Sequence, residues 1–225
     1  PVIAACFADL AKVAKPSYAD YARVLDRHWR SRFENAGDRD SCTTHFSIVD
    51  RAGNFCAVTQ TLLSIFGSRV VSPSTGVLLN NGIMWFDPEP GKPNSLAPGR
   101  RCLANYCPVV GETAKGERFA LGAAGGRKIV GAVLQLISFL VDHGLSLDEA
   151  FHRPRMDMSG GERVIADPAL AADELLALKA AFPVSTARRG VYPDAFARPC
   201  GVLRSGDLNS GCTEAAQPWA DAVAE

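Results

Sequence analysis

The chain has 225 residues, 47% of them hydrophobic, and its 24 basic residues balance 24 acidic ones. That length is enough to bury a substantial core, in one large domain or two small ones. Balanced charge argues against nucleic acid, an anionic membrane surface or a polyacidic molecule as the partner.

Residues 1–41 read as helical and polar. In "SYADYARVLDRHWRSRF", Tyr18, Tyr21, Leu25, Trp29 and Phe33 recur at helical spacing, and Ser17 after Pro16 supplies an N-cap. The run "ENAGDRDS" has no periodicity and marks a loop or boundary. From Thr44 the period becomes two: "HFSIVD", a turn at "RAGN" and "FCAVTQTLL" predict a β-hairpin. "TGVLLNNGIMWF" predicts a further strand that runs into an Asn-Asn-Gly turn. The proline-dense "FDPEPGKPNSLAPGRR" reads as an irregular surface loop.

"CPVVGETAKGERFALGAAGG" predicts two short strands joined by a turn at Gly116, ending in a glycine-rich corner. The apolar run from Ile129 to Gly144 contains Gln135 and ends in Asp142 and His143, so it is a buried helix and too short to span a bilayer. Ser146 with Glu149 forms a capping box for a short helix that stops near Pro154. "DPALAADELLALKAAF" predicts an amphipathic helix that starts at Asp167 and Pro168. "PCGVLRSGDLNSGCTEA" predicts a final hairpin that turns at residues 205–207. Strands grouped before and after helices, without regular alternation, favour an α+β layered sandwich over a doubly wound sheet.

Seven cysteines, at 6, 42, 56, 102, 107, 200 and 212, form no CxxC pair, and only four histidines accompany them. The expectation is reduced, buried thiols with no disulfide framework, no structural metal site and no cofactor. Free thiols favour a reducing compartment, the cytoplasm. The chain opens on Pro1 with neither an initiating Met nor a signal-peptide pattern, and so reads as a piece of a longer product.

Two places carry chemistry. "LGAAGGRKIV" has Arg127 where a phosphate loop needs its last glycine and Ile129 where it needs Ser or Thr, which removes the nucleotide reading. Two explanations of Gly125 and Gly126 remain: a turn that needs positive φ, or bare N–H groups at a helix N-terminus facing developing negative charge. Thr43 is either an ordinary strand residue or a nucleophile. If the Cys42–Thr43 bond is cut, Thr43 gains an α-amine, which titrates near pKa 7.7–8.0 and can take the proton of its own hydroxyl. Thr61, on the opposing strand, is either a β-branched strand residue or a partner for that hydroxyl.

Together "TTHFSIVDRAGNFCAVTQT", "TGVLLNNGIMWF", "PGRRCLANYCPVV" and "LGAAGGRKI", in this order, resemble the small subunit of the γ-glutamyltranspeptidase family of N-terminal nucleophile hydrolases. The resemblance implies a four-layer αββα sandwich and a precursor that cleaves itself between Cys42 and Thr43. Residues 1–42 would be the C-terminal end of the large subunit, and 43–225 the small, catalytic one. Thr43 would be nucleophile and, through its new amine, base. Thr61 would tune it, and the amides of Gly125 and Gly126 would form the oxyanion hole. The implied reaction is attack on an acyl amide, an acyl-enzyme on Thr43, then release to water or an acceptor amine. The implied partners are the large subunit of the same precursor and a small-molecule amide. Family members are often exported, which keeps the periplasm open.

Asn81, Trp85, Arg101 and Asn105 would line the substrate site. Where transpeptidases usually have Asn, Asp and a pair of serines, this chain has Leu63, Trp85 and Ala104 with Asn105. Those groups grip a γ-glutamyl donor, so the departures look more like the family's cephalosporin acylases and transpeptidase-like hydrolases. Trp85 and Tyr106 would then line an acyl pocket, and Arg101 and Asn105 would meet a substrate carboxylate. The proline-dense loop is shorter than the lid-bearing segment of many transpeptidases, which implies a more open cleft. A homologue that binds without cleaving is the alternative from another class.

Overall fold

The computed structural model describes residues 2–33, 42–159, 161–191 and 194–224, the side chains of 2 and 29–33 apart. The polar run 34–41 and the Trp29 and Phe33 side chains of the sequence reading lie outside the described residues. Two helices come first, α1 (Val2–Leu10) and α2 (Tyr18–Phe33). Ser17 and Asp20 cap α2: the Ser17 N–H and hydroxyl donate to Asp20 Oδ2 at 2.9 and 2.7 Å, and the Asp20 N–H donates to Ser17 Oγ at 3.3 Å. The apolar stripe of α2 buries Tyr18, Tyr21 and Leu25, while α1 contributes Cys6 and Leu10 to the core.

The hairpin forms as its alternation predicts, from β1 (Thr43–Val49) and β2 (Phe55–Thr61), with Thr43 directly opposite Thr61. Strands β3 (Val109–Glu112) and β4 (Arg118–Ala124) lead through the glycine corner into α3 (Lys128–Val141). Next come α4 (Leu147–His152), β5 (Met156–Asp157), β6 (Val164–Ala166), α5 (Ala172–Ala181), β7 (Val184–Thr186), and the closing hairpin β8 (Arg198–Ser205) with β9 (Leu208–Thr213). One sheet has the order β3-β4-β8-β9, all antiparallel, and a small one has the order β5-β6-β7.

The architecture is an α+β sandwich. Helices α3 and α4 pack on one face of the four-stranded sheet, and the β1-β2 hairpin packs on the other, against β4 and β8. Strand β4 is buried along its length after Arg118, because it is covered on both faces. Helix α3 is buried from Ile129 to Leu140 except at Ile137. Its one amide side chain is fully used: Gln135 Nε2 donates to the Gly131 and Met156 carbonyls at 2.8 Å, and Oε1 accepts the Met156 N–H at 2.9 Å. Helix α2 packs on α3 through the edge-on rings of Tyr18, Tyr21 and Phe139, and Tyr21 OH donates to Ser138 Oγ at 2.9 Å. The segment that precedes Thr43 is thereby fastened to the helix that follows the glycine corner.

Three expectations need correction. Residues 75–86 form no strand: a single bridge joins Val71 to Leu78, and Gly82–Trp85 is a 3-10 turn. Val77 and Leu79 stay more than 40% exposed, so no sheet face absorbs their alternation. The helix expected from Asp167 starts at Ala172, because Asp167 instead holds a turn, accepting the Ala169 N–H at 2.9 Å and the Arg189 Nε–H at 3.0 Å. That helix buries only Leu178 fully and leaves Leu176 70% exposed. The proline-dense loop is irregular as expected, yet Asn94 and Ser95 within it are buried.

Candidate active site

Thr43 and Thr61 form a cross-strand pair at the open end of the hairpin, with their hydroxyl oxygens 3.4 Å apart. Paired positions in an antiparallel ladder project to the same side, and here that side faces the four-stranded sheet: Thr43, His45, Ser47 and Val49 are half-buried while Thr44, Phe46 and Ile48 are exposed. Thr61 Oγ1 also accepts the Leu63 N–H at 2.9 Å, so its orientation is set from the protein side. Just past the last pair of the ladder, the Cys42 N–H donates to the Leu63 carbonyl at 3.1 Å. The Cys42–Thr43 peptide bond is therefore held at the mouth of the hairpin.

Two contacts fix how the hairpin lies along β4. The turn at Gly53 sits against the side chains of Arg118 and Arg204, and the His45 ring sits on Gly122. Moving from the turn toward Thr43 therefore means moving along β4 from Arg118 toward Gly125 and Gly126. These two glycines have φ of +131° and +59°. A β-carbon on Gly125 would lie 2.9 Å from the Ala197 Cα, so strain and space both demand glycine there. Their carbonyls accept the N–H groups of Lys128 and Ile129 and so begin α3. Among the described residues neither glycine N–H has an acceptor. The corner thus presents two bare donors at a helix N-terminus, at the end of β4 toward which Thr43 points.

His45 is the residue that sequence reasoning passed over, although it stands inside "TTH". Its Nδ1 lies 2.8 Å from Thr59 Oγ1 and its Nε2 lies 3.0 Å from Ser47 Oγ. Burial pushes its pKa down to about 4, so it is neutral near pH 7. The available signal was period two: residue 45 shares the inward face with Thr43.

The other expected site residues are distributed as follows. Asn81 stands beside the corner that follows Thr61, accepting the Ser64 N–H at 3.1 Å and donating to Ser64 Oγ at 2.8 Å. Trp85 ends the 3-10 turn, and its ring meets that of Tyr106 edge-on at 5.1 Å. Asn94 joins the two arms of this aromatic pair: its Nδ2 donates to the Trp85 carbonyl at 2.6 Å and its Oδ1 accepts the Leu103 N–H at 2.9 Å. Arg101 is exposed and Asn105 half-buried, both on the extended stretch that leads to Tyr106. Leu63 is buried at φ +74°, a left-handed conformation that costs a leucine about 1–2 kcal/mol.

Comparison with known proteins agrees on the fold. The chain aligns over 81% of its length with all of a γ-glutamyltranspeptidase chain from Pseudomonas nitroreducens solved with L-DON, at a TM-score of 0.64 and 23% identity. It aligns over 96% of its length with 47% of a cephalosporin acylase from Bacillus halodurans, at a TM-score of 0.73 and 19% identity. In sequence it is 36% identical over 155 residues to the acylase ACY 1 proenzyme of Pseudomonas sp. (strain V22), covering 68% of this chain and 28% of that protein. It is 35% identical over 114 residues to the glutathione hydrolase proenzyme of Bacillus subtilis (strain 168), covering 51% of this chain and 19% of that protein. The chain thus spans less than a third of the curated relatives it matches. The model of the gamma-glutamyltranspeptidase family matches residues 6–214, and the chain belongs to that family.

Proposed function

We propose that this chain is the self-processing catalytic part of a threonine-nucleophile amidohydrolase or acyltransferase that cleaves γ-glutamyl or related acyl amides. The observation that carries this reading is the Thr43–Thr61 hydroxyl pair at the end of β4 where Gly125 and Gly126 leave two N–H donors bare. In the uncut chain Thr43 Oγ1 attacks the Cys42 carbonyl carbon; the C–N bond breaks, and the hydroxyl proton passes to the Thr43 nitrogen. Water hydrolyses the resulting ester, leaving a carboxylate on Cys42 and a free hydroxyl and amine on Thr43. Residues 1–42 stay with 43–225 through the packing of α2 on α3, joined by the rest of a large subunit.

In turnover the Thr43 amine takes the hydroxyl proton as Oγ1 attacks the substrate carbonyl, and the glycine amides receive the oxyanion. The leaving amine departs with that proton, and water or an acceptor amine resolves the acyl-enzyme. Mass spectrometry of the full precursor tests the reading. It expects fragments that join at Cys42 and Thr43, and an uncut Thr43→Ala chain. A precursor that stays whole, or is cut elsewhere, overturns it and favours the homologue that binds without cleaving.

A second reading concerns the acyl group. The Trp85 and Tyr106 rings meet edge-on, with Asn94 bonded to the Trp85 backbone, and Trp85 stands at the position where the family resemblance implies an Asp. This favours glutaryl or other acyl amides without an α-ammonium, of the kind a cephalosporin acylase takes. Turnover of glutaryl and γ-glutamyl anilides by one preparation decides between the two.

A further inference from the structure

On the helix-covered face of the four-stranded sheet, Asp148, His152 and Cys212 each bring one donor atom to within 4.8 Å of the others. None of them enters the reaction described above. Asp148 and His152 stand four apart on α4, which stacks them on one side of the helix, and α4 is itself fixed by the Ser146–Glu149 capping box. Cys212 lies on β9 opposite Gly201, and such pairs project to the same face. A β-carbon on Gly201 would meet the Phe151 ring at 3.3 Å, so that face is the one α4 covers. The neighbouring Cys200 projects the other way, donating its S–H to the His45 carbonyl at 3.3 Å. The three donors therefore come from two elements positioned without help from an ion.

We propose that Asp148, His152 and Cys212 bind one divalent transition-metal ion of the zinc class, stapling α4 to the edge strand β9. Thiolate, imidazole and carboxylate are the donors zinc takes, at about 2.3, 2.0–2.1 and 2.0–2.2 Å, and three of them leave one tetrahedral position for water. Magnesium and calcium prefer oxygen ligands, so the set is wrong for them. His152 Nδ1 lies 2.9 Å from the backbone carbonyl of Asp148. The same nitrogen lies 3.3 Å from Asp148 Oδ1, so imidazole and carboxylate already meet; a proton held on Nδ1 by the carbonyl would leave Nε2 as the ring's lone pair. An ion of this class takes the thiolate, so binding releases the Cys212 proton to solvent. No spacing in the chain announces the site, because its cysteine is on a strand far from the helix. It lies on the opposite face of the sheet from Thr43, so it acts on stability and not on the reacting atoms.

The test titrates the reduced, chelator-stripped full chain with Co2+ and reads absorption. The expected result is saturation at one equivalent, with a thiolate-to-cobalt charge-transfer band and tetrahedral d–d bands that one equivalent of Zn2+ abolishes. Cys212→Ser removes the charge-transfer band, and His152→Ala weakens binding at least about tenfold. His152 is 56% exposed, so its variant keeps the fold, as circular dichroism verifies. Absence of saturable binding overturns the proposal. So does a cobalt spectrum unchanged in both variants, which would assign the ion to other thiols.

Discussion

The imidazole of His45 lies flat enough on Gly122 that a β-carbon there would come within 2.3 Å of the ring. This contact sets the height at which the hairpin rests on β4, and with it the height of the strand that begins at Thr43. The ring cannot simply swing away, because both nitrogens are held, by Thr59 and Ser47. Gly122→Ala is therefore expected to destabilise the chain by about 1–3 kcal/mol, the usual range for overpacking. A lower urea midpoint at unchanged slope checks it, together with slower cleavage of the precursor.

His45 also makes a pH prediction with a definite sign. Its pKa falls from an ordinary 6.5 to about 4 through burial. Between those values the unfolded chain binds a proton that the folded chain does not, so stability is full above about pH 6.5, declines toward pH 4 and levels off below. Other groups titrate in this range as well. The check is the difference in urea midpoint between wild type and His45→Asn, which is expected to change across this window and to be flat outside it.

Much of this was legible from residue patterns, and the failures have physical causes. The hairpin, the Gly116 turn, the capping box and the buried helix α3 follow from local periodicity, so they appear in the chain as written. Residues 75–86 alternate like a strand but have no sheet to join, which no local pattern reveals. The sheet of β5, β6 and β7 was missed because its strands are two or three residues long and one pairing is parallel. At the site, Thr43 and Thr61 were legible through the hairpin register. In sequence Leu63 is only a departure from Asn; its backbone is left-handed, a conformation in which Asn is at home.

The Thr61 hydroxyl accepts the Leu63 N–H and lies 3.4 Å from Thr43 Oγ1. Removing it leaves both without that partner. A hydrogen bond of this kind contributes about 0.5–1.5 kcal/mol, so Thr61→Ala is expected to slow precursor cleavage by up to about tenfold, while Thr61→Ser stays close to wild type. A time course of fragment appearance on a gel measures both.

Behind the site, Arg155 and Glu214 form an ion pair with 1% and 6% side-chain exposure, and Arg189 reaches the same carboxylate at 3.6 Å. Losing one member of a buried pair strands a charge and costs about 3–5 kcal/mol. Glu214→Ala is expected to show that loss in urea unfolding. Lys12→Ala, at the 73%-exposed end of the Asp9 pair, is expected to change stability by less than about 1 kcal/mol.

In the proposed acyl pocket, Trp85 is the residue that would set which amide is cleaved. Its ring packs edge-on against Tyr106, and Asn94 anchors the backbone that carries it, so the position is rigid. A carboxylate there would offer the counter-charge that a γ-glutamyl ammonium requires, and would remove an aromatic contact worth about 0.5–1.5 kcal/mol. Trp85→Asp is therefore expected to raise the ratio of γ-glutamyl to glutaryl anilide turnover at least about tenfold, equivalent to about 1.4 kcal/mol of discrimination. Trp85→Phe keeps an apolar wall and is expected to leave the ratio near that of wild type. An unchanged ratio in Trp85→Asp, with the fold intact by circular dichroism, would remove Trp85 from the acyl pocket. Equal loss of both activities with melting of the fold would instead show that the ring holds the loop and does not choose the substrate.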